Sequence, residues 1–217
     1  MTPVIFGVST TRGPRSISDI QYEKMKSIFE EIYQLAKPYL DTRNNEIHTE
    51  ICIKFAYELL EKEGGDENIV IPAIILHDVG WKRVPQDLQL KAFGPKAMSP
   101  KLNRIHETEG VKIAKHILER VNYDENRIVE ILEIIDGHDS RKEAISLNDK
   151  IVKDADRLWR NSKEGFQIDV ERFNEGIVEG LNRIRSNLHK WFFTGSAKEI
   201  AREKIRNRLE EIEGGQN

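Results

Sequence analysis

The sequence contains one cysteine, Cys52, among its 217 residues. A single cysteine cannot form an intramolecular disulfide, which excludes the small disulfide-stapled folds. Long apolar runs are also missing, since none approaches the roughly 18 residues that spanning a bilayer requires. The N-terminal residues lack the basic start of a signal peptide. We therefore expect a cytoplasmic protein with no membrane partner.

An excess of basic residues is absent too. Lys and Arg number 34 against 37 Asp and Glu, which gives a formal net charge of −3. Binding to a nucleic-acid polymer usually requires a basic stripe, so we expect no such partner. The hydrophobic fraction of 38% and the charged fraction of 33% fit one domain, or one domain plus a small appendage, with a heavily charged surface.

The sequence also lacks sustained period-two alternation of apolar and polar residues, which is the pattern of half-buried strands. This lack predicts an all-α fold. Apolar residues instead recur at helical spacing, in segments that we place at Ser18–Pro38, Glu46–Glu63, Asp66–Asp78, His106–Val121, Asp124–Asp136, Ser146–Trp159, Val170–Asn187 and Ala197–Glu213. We predict an irregular arm over 1–17, a helical bundle over 18–165 and a charged C-terminal helical appendage over 166–217, packed on the same domain. A long loop, 79–102, follows the third helix, and such loops tend to be functional.

Histidines and aspartates stand near the predicted helix ends. His48 lies near the start of the second helix, His77 and Asp78 end the third, His106 opens the fourth, His138 follows the fifth, and Asp154 lies in the sixth. Imidazole with carboxylate suits Mn, Fe, Co, Ni or Zn. A bundle that gathers these helix ends would bring the side chains together.

The adjacent pair His77-Asp78 has a particular geometric value. Neighbours on a helix point about 100° apart, so the two side chains can occupy adjacent corners of one metal. Asp78 can also bridge to a second metal, because a carboxylate has two oxygens. The pair therefore predicts a site for one or two divalent ions.

The order of these residues resembles the HD-domain superfamily of metal-dependent phosphohydrolases. The resemblance rests on His48, on the run Leu76-His77-Asp78-Val79-Gly80 and on Asp154, and it covers roughly 46–165. It implies that His48, His77, Asp78 and Asp154 are ligands of the primary metal. Members with two metals supply two further histidines where His106 and His138 stand. One metal, with those two histidines binding phosphate, is the competing arrangement.

The resemblance also implies an activity, the hydrolysis of a nucleotide or other small phosphate ester by attack of a metal-bound hydroxide. Asp78 would hold the metal and orient the nucleophile. Lys82 stands where several branches have a basic residue, so it is a candidate catalytic and phosphate-binding group, and Arg83 and Arg104 are candidate substrate-binding cations. Trp81 departs from the small residue usual at its position.

Several alternatives stay open at this point. Some proteins of this fold with the two added histidines are mixed-valent di-iron oxygenases, and others are non-catalytic, metal-stabilised regulatory modules. Asp139 is either an outer partner of His138 or a turn residue, while Asp156 and Arg157 are expected to form a structural ion pair or cap. A homodimer is expected on general grounds.

Overall fold

The computed structural model describes residues 25–92 and 99–214. Ten α-helices occur in these ranges: α1 (Ser27–Leu40), α2 (Asn45–Glu63), α3 (Glu67–Leu76), α4 (Gln86–Gln89), α5 (Pro100–Arg120), α6 (Glu125–Ile135), α7 (Leu147–Leu158), α8 (Lys163–Phe173), α9 (Ile177–Trp191) and α10 (Gly195–Gly214). Two 3-10 helices, Val79–Arg83 and Trp159–Asn161, follow α3 and α7. No described residue forms a strand, so the prediction of an all-α fold is confirmed.

Helix α3 is the centre of the core. Every residue from Ile69 to Leu76 is buried, and the helix packs against α1, α2, α6 and α7. Pro72 has no amide to donate to the carbonyl of Asn68, one turn earlier. The hydroxyl of Tyr123 donates to that carbonyl instead, at 2.6 Å. This substitute hydrogen bond lets α3 continue through the proline to the His77-Asp78 pair.

The predicted helix boundaries differ from the observed ones in two segments that follow His77-Asp78 in the sequence. Helix α5 begins at Pro100, ahead of the predicted start at His106, because proline fits the first helical position, where an amide needs no partner. His106 therefore lies inside a helix. The predicted loop 79–102 contains a 3-10 helix and the short α4, while 93–98 lie outside the described residues.

Towards the two ends of the chain, helix boundaries differ from the prediction where the structure describes them. The arm 1–17 and the predicted helix start at Ser18 lie outside the described residues. Helix α1 continues past Pro38 to Leu40. The predicted helix Val170–Asn187 is divided between α8 and α9, since Asn174 has a left-handed backbone (φ 52°) that ends α8.

The C-terminal helices share the core of the bundle. Phe166 and Val170 of α8 and Leu181 and Ile184 of α9 are buried in the same hydrophobic cluster as α3. Helix α10 packs against α2 and α7. Of these helices, α8 reaches the start of α2, where Arg172 donates to the backbone carbonyl of Arg43, whereas the start of α10 contacts the other end of α2 through Ser196 and Glu63. No described helix is both long and apolar enough to cross a membrane.

Candidate metal centre

Four histidines and one aspartate, all buried, meet at one end of the bundle. His48 is in the first turn of α2, His77 and Asp78 follow α3, His106 is inside α5, and His138 is in the turn after α6. The Nε2 atoms of His48 and His77 are 3.0 Å apart, and those of His106 and His138 are 3.2 Å apart. The structure thus brings together five of the six predicted ligands, which are two histidine pairs and Asp78.

Asp78 stands between the two pairs. Its Oδ2 lies 3.5 Å from Nε2 of His48 and 3.8 Å from Nε2 of His77. Its Oδ1 lies 3.9 Å from Nε2 of His106 and 3.7 Å from Nε2 of His138. Each carboxylate oxygen therefore faces one pair, which is the arrangement that a bridging aspartate requires.

The aspartate that completes the first pair is Asp156. Its Oδ1 lies 3.3 Å from Nε2 of His48 and 3.6 Å from Nε2 of His77. Asp156 was expected to pair with Arg157, which instead donates to the carbonyl of Trp191. That expectation is corrected: the carboxylate belongs to the histidine cluster.

The placement of Asp154 is corrected as well. Its Oδ1 accepts the backbone N–H of Phe193 at 2.8 Å, and its Oδ2 accepts the N–H and the hydroxyl of Thr194 at 2.8 Å each. Residues two apart on a helix point about 200° from each other, so Asp154 and Asp156 cannot both face the histidines. Asp154 therefore ties α7 to the segment before α10.

Two of the histidines are held by a hydrogen bond from Nδ1 to the backbone. Nδ1 of His77 lies 2.7 Å from the carbonyl oxygen of Ile74, and Nδ1 of His138 lies 2.9 Å from that of Ile135. Because a carbonyl only accepts, Nδ1 carries a proton in both rings, which leaves Nε2 as the nitrogen that can bind a metal once it is deprotonated. The converging atoms are imidazole nitrogens and carboxylate oxygens, which are common metal ligands.

Two groups of three side chains have ligand atoms within 4.8 Å of one another. They are His48, His77 and Asp156, and Asp78, His106 and His138. Nitrogen and oxygen donors of this kind suit a divalent transition metal. The cluster is therefore compatible with metal binding in either group.

Without a metal, the buried groups of the cluster are in mixed protonation states. Burial lowers the pKa of His77 and of His138, but the neighbouring carboxylates outweigh it and raise both values, that of His138 to about 10, so at neutral pH the His138 ring holds an extra proton that a metal would displace. Burial opposes ionisation of Asp78, but the charge of His77 and a hydrogen bond from His138 outweigh it and hold the pKa of that carboxyl well below its usual range. Burial lowers the pKa of His106 to about 4, so its imidazole is neutral at neutral pH. Ionised carboxylate and neutral imidazole are the states that bind a metal.

The family of the chain follows from a match that spans these ligands. The HD domain model matches residues 45–161, which is more than half of the chain. The chain belongs to the HD domain family. The matched segment contains both groups of potential ligands.

A solved structure supports the HD fold over nearly the whole chain. It is that of a predicted HD superfamily hydrolase from an uncultured Thermotogales bacterium, with a TM-score of 0.61 and 19% identity. The similarity covers 93% of this chain and 98% of the other. Among curated proteins, none matches this chain.

Trp81 contacts two residues of the second group of potential ligands, His106 and Asp78. Its indole ring stacks on His106 with centroids 4.0 Å apart, and its Nε1–H donates to Oδ1 of Asp78 at 2.9 Å. The guanidinium of Arg43 lies 4.0 Å from the centroid of the same indole. Within the described residues Nδ1 of His106 has no hydrogen-bond partner. The stacked indole therefore orients the imidazole of His106.

Glu107 and Lys153 fix the turn that carries His138. The buried Glu107 carboxylate accepts the N–H groups of Asp139 and Ser140 at 3.0 and 2.8 Å. Nζ of Lys153 donates to the carbonyl of His138 at 2.7 Å. Asp139 is not the outer partner of His138, whose Nδ1 faces the carbonyl of Ile135; Oδ2 of Asp139 lies 3.6 Å from Nε2 of His106 and 3.9 Å from Nε2 of His138. Its carboxylate stands on the ligand side of the cluster.

The predicted substrate-binding cations lie away from the cluster. Lys82 donates to the backbone carbonyl of Asp41 at 3.1 Å, and Arg83 is exposed on the 3-10 helix. Arg104 is bound by Glu107 at 2.6 Å and by Asp136 at 2.9 Å. These three placements are corrections. Residues 79–83 turn as a 3-10 helix that buries Trp81 and directs Lys82 and Arg83 outward.

Three other arginines line the cavity of the cluster. Arg43, Arg160 and Arg172 surround a cavity of about 80 Å³ together with His48, Asp78, Asp139 and Asp156. Nη2 of Arg172 donates to the backbone carbonyl of Arg43 at 2.6 Å. Burial lowers the pKa of Arg43 to about 10, which leaves it charged at neutral pH. No sequence pattern near these arginines identifies them as residues of the site. They come from a loop and from helices outside the His-Asp motif.

Proposed function

We propose that the protein is a metal-dependent hydrolase of phosphate esters, acting on a nucleotide or another small phosphorylated metabolite. The observation that carries this proposal is the cavity in which Arg43, Arg160 and Arg172 face the groups of potential metal ligands. A planar guanidinium group can donate two parallel N–H bonds to two oxygens of a phosphate. Membership of the HD domain family and the similarity to a protein described as a predicted HD superfamily hydrolase support it further.

The residues that would hold the metal are His48, His77 and Asp156 in one group and His106 and His138 in the other, with Asp78 between them. One or two ions of Mn, Fe, Co, Ni or Zn suit these donors. A bound metal supplies Lewis acidity, which lowers the pKa of water towards roughly 7 and neutralises charge on a phosphoryl oxygen.

The chain's own residues would then orient the substrate and the water. Arg43, Arg160 and Arg172 bind the phosphoryl oxygens and stabilise the charge that develops on them. Asp139 accepts a hydrogen bond from the attacking water. The oxygen of water bonds to phosphorus as the P–O ester bond breaks, and a proton from the water goes to the departing oxygen. The products are inorganic phosphate and an alcohol.

The test is phosphate release from a panel of nucleotides and other phosphate monoesters, after loading with each of the five metals. We expect one metal at least to support turnover. Replacing Arg160 with Ala should lower kcat/KM by about 10²-fold. Arg185→Ala is the matched control, because Arg185 is exposed on α9. The proposal would be overturned if the protein bound metal but hydrolysed no ester with any of the five metals.

A di-iron oxygenase is the second candidate, because Asp78 has one oxygen towards each histidine pair and this geometry favours two metals. Such an enzyme, reconstituted with iron, would consume O₂ and show di-iron absorption bands. The three arginines around the cavity favour the ester hydrolase. Oxygen consumption without phosphate release would favour the di-iron oxygenase over the ester hydrolase.

A further inference from the structure

A larger cavity adjoins that of the metal cluster. Its volume is about 370 Å³, and Asp139, Asp156 and Arg160 line both cavities. Volumes of this size are typical of small-molecule sites. The rest of the wall comes from Arg157 and from Phe173, Arg183, Asn187 and Trp191 of α8 and α9. The latter four residues lie beyond 45–161, the segment that matches the HD domain.

Flat faces dominate the wall of this larger cavity. Trp191 and Phe173 contribute aromatic rings, and both are only partly buried. The guanidinium of Arg160 lies 5.8 Å from the centroid of Trp191, and that of Arg183 lies 5.7 Å from the centroid of Phe173. Aromatic rings and guanidinium planes are the surfaces on which planar ligands stack.

The charges around the larger cavity nearly cancel. Arg183 is bound by Asp169 at 2.6 Å and by Glu175 at 2.7 Å, and Arg160 lies 3.7 Å from Asp169. Asp139 adds a third carboxylate to the wall that holds Arg157. Three guanidinium groups are thus matched by three carboxylates, without counting Asp156, which belongs to the metal cluster. A second anionic group of a ligand would find no net positive charge here.

We propose that this cavity binds the leaving group of the phosphate ester, and that this group is a planar aromatic ring system without charge. The inference rests on the proposed function and gives it a substrate class. The phosphate meets the arginines beside the metal ligands, and the ring enters between Trp191 and Phe173. The shared wall residues Asp139 and Arg160 mark the point where the ester oxygen joins the two parts.

The experiment compares three phosphate monoesters on the metal-loaded full chain: phenyl phosphate, 4-carboxyphenyl phosphate and glycerol 2-phosphate. For Trp191→Leu we expect KM for phenyl phosphate to rise about tenfold, which is the usual size of one lost stacking contact, with kcat and the kinetics on glycerol 2-phosphate little changed. Trp191→Phe should restore most of the loss. In the unchanged protein, 4-carboxyphenyl phosphate should have a higher KM than phenyl phosphate.

Asn187→Ala, on the same wall, is the second variant in case Trp191→Leu does not fold, and it should raise KM for the two aromatic esters but not for glycerol 2-phosphate. Lys190→Ala is the control, since Lys190 is exposed on the same helix. Equal losses on all three esters, or no effect of Trp191→Leu, would overturn the aromatic pocket and leave the hydrolase intact. Failure of every ester with the unchanged protein would instead count against the hydrolase itself.

Discussion

Asp154 and Asp156 are two carboxylates on one helix with separate tasks. Asp156 faces His48 and His77, whereas Asp154 accepts three hydrogen bonds from Phe193 and Thr194. We expect Asp156→Asn to lower the bound metal, because it removes a charged ligand. Asp154→Asn should keep the metal and lose about 1–3 kcal/mol of unfolding free energy, since a buried acceptor is replaced by a group that also donates.

Elemental analysis and urea unfolding of the metal-free proteins measure the two effects side by side. Each variant is the control for the other, because both remove one negative charge from α7. Loss of metal from Asp154→Asn alone would show that the roles assigned to the two residues are reversed.

Trp81 is expected to set the affinity of the second ligand group. Trp81→Phe keeps a ring beside His106 but removes the N–H that binds Oδ1 of Asp78. Losing an outer partner of a metal ligand typically costs about 10- to 100-fold in metal affinity. Titration against a chromophoric chelator measures this affinity, with Trp191→Phe as the control. Equal affinities in the two variants would contradict the role given to the indole N–H.

At the scale of elements, the contact between the 3-10 helix after α3 and helix α5 depends on Gly80. A Cβ at this position would lie 1.8 Å from the backbone oxygen of His106 and 2.5 Å from the backbone nitrogen of Gly110. Gly80→Ala must therefore push the two elements apart. We expect it to cost about 3 kcal/mol or more of unfolding free energy, and to weaken metal binding through His106.

Gly176→Ala is the matched control for this substitution. Gly176 precedes α9, and a Cβ there meets nothing within 4 Å. Glycine is a better N-cap than alanine, so Gly176→Ala should cost about 0.5–1 kcal/mol, well below the cost of Gly80→Ala. Urea unfolding of both variants measures the two losses of unfolding free energy. Similar midpoints for the two would show that the contact of Gly80 with α5 accommodates a Cβ without strain.

Helical periodicity and the order of His and Asp residues were sufficient to predict the class of fold and five of the clustered side chains. They did not separate Asp154 from Asp156, because the polar residues of α7 are buried as well as its apolar ones, and both aspartates are among them. Nor did they find Arg43 or Arg172, whose approach to the cluster depends on tertiary packing of a loop and α8. Lys82 was misplaced because sequence proximity to His-Asp does not fix a direction on a 3-10 turn.

At the scale of the whole molecule, metal and fold should depend on each other. The cluster holds imidazole nitrogens and carboxylates at the meeting point of α2, α3, α5, α6 and α7, and these helices converge there only in the folded chain. A metal that binds only the folded state at 100 times its Kd stabilises it by about 2.7 kcal/mol. For a chain of this size, a chelator should therefore lower Tm by about 5–10 °C.

Differential scanning fluorimetry with and without EDTA measures this shift, and adding the metal back should reverse it. Asp156→Asn, with one ligand removed, should respond less. Elemental analysis should confirm that EDTA has removed the metal. If the Tm of that metal-free protein were unchanged, metal binding would not contribute to the stability of the fold.

The site is divided between two stretches of the chain, and this division affects how each stretch can change in evolution. The potential metal ligands all lie within 45–161, whereas Phe173, Arg183, Asn187 and Trp191 come later. Substitutions in the later stretch can alter what fits beside the ester without disturbing the ligands. Among descendants of a common ancestor, the first stretch should therefore drift slowly, while the lining from α8 and α9 diverges as each lineage takes up a different compound.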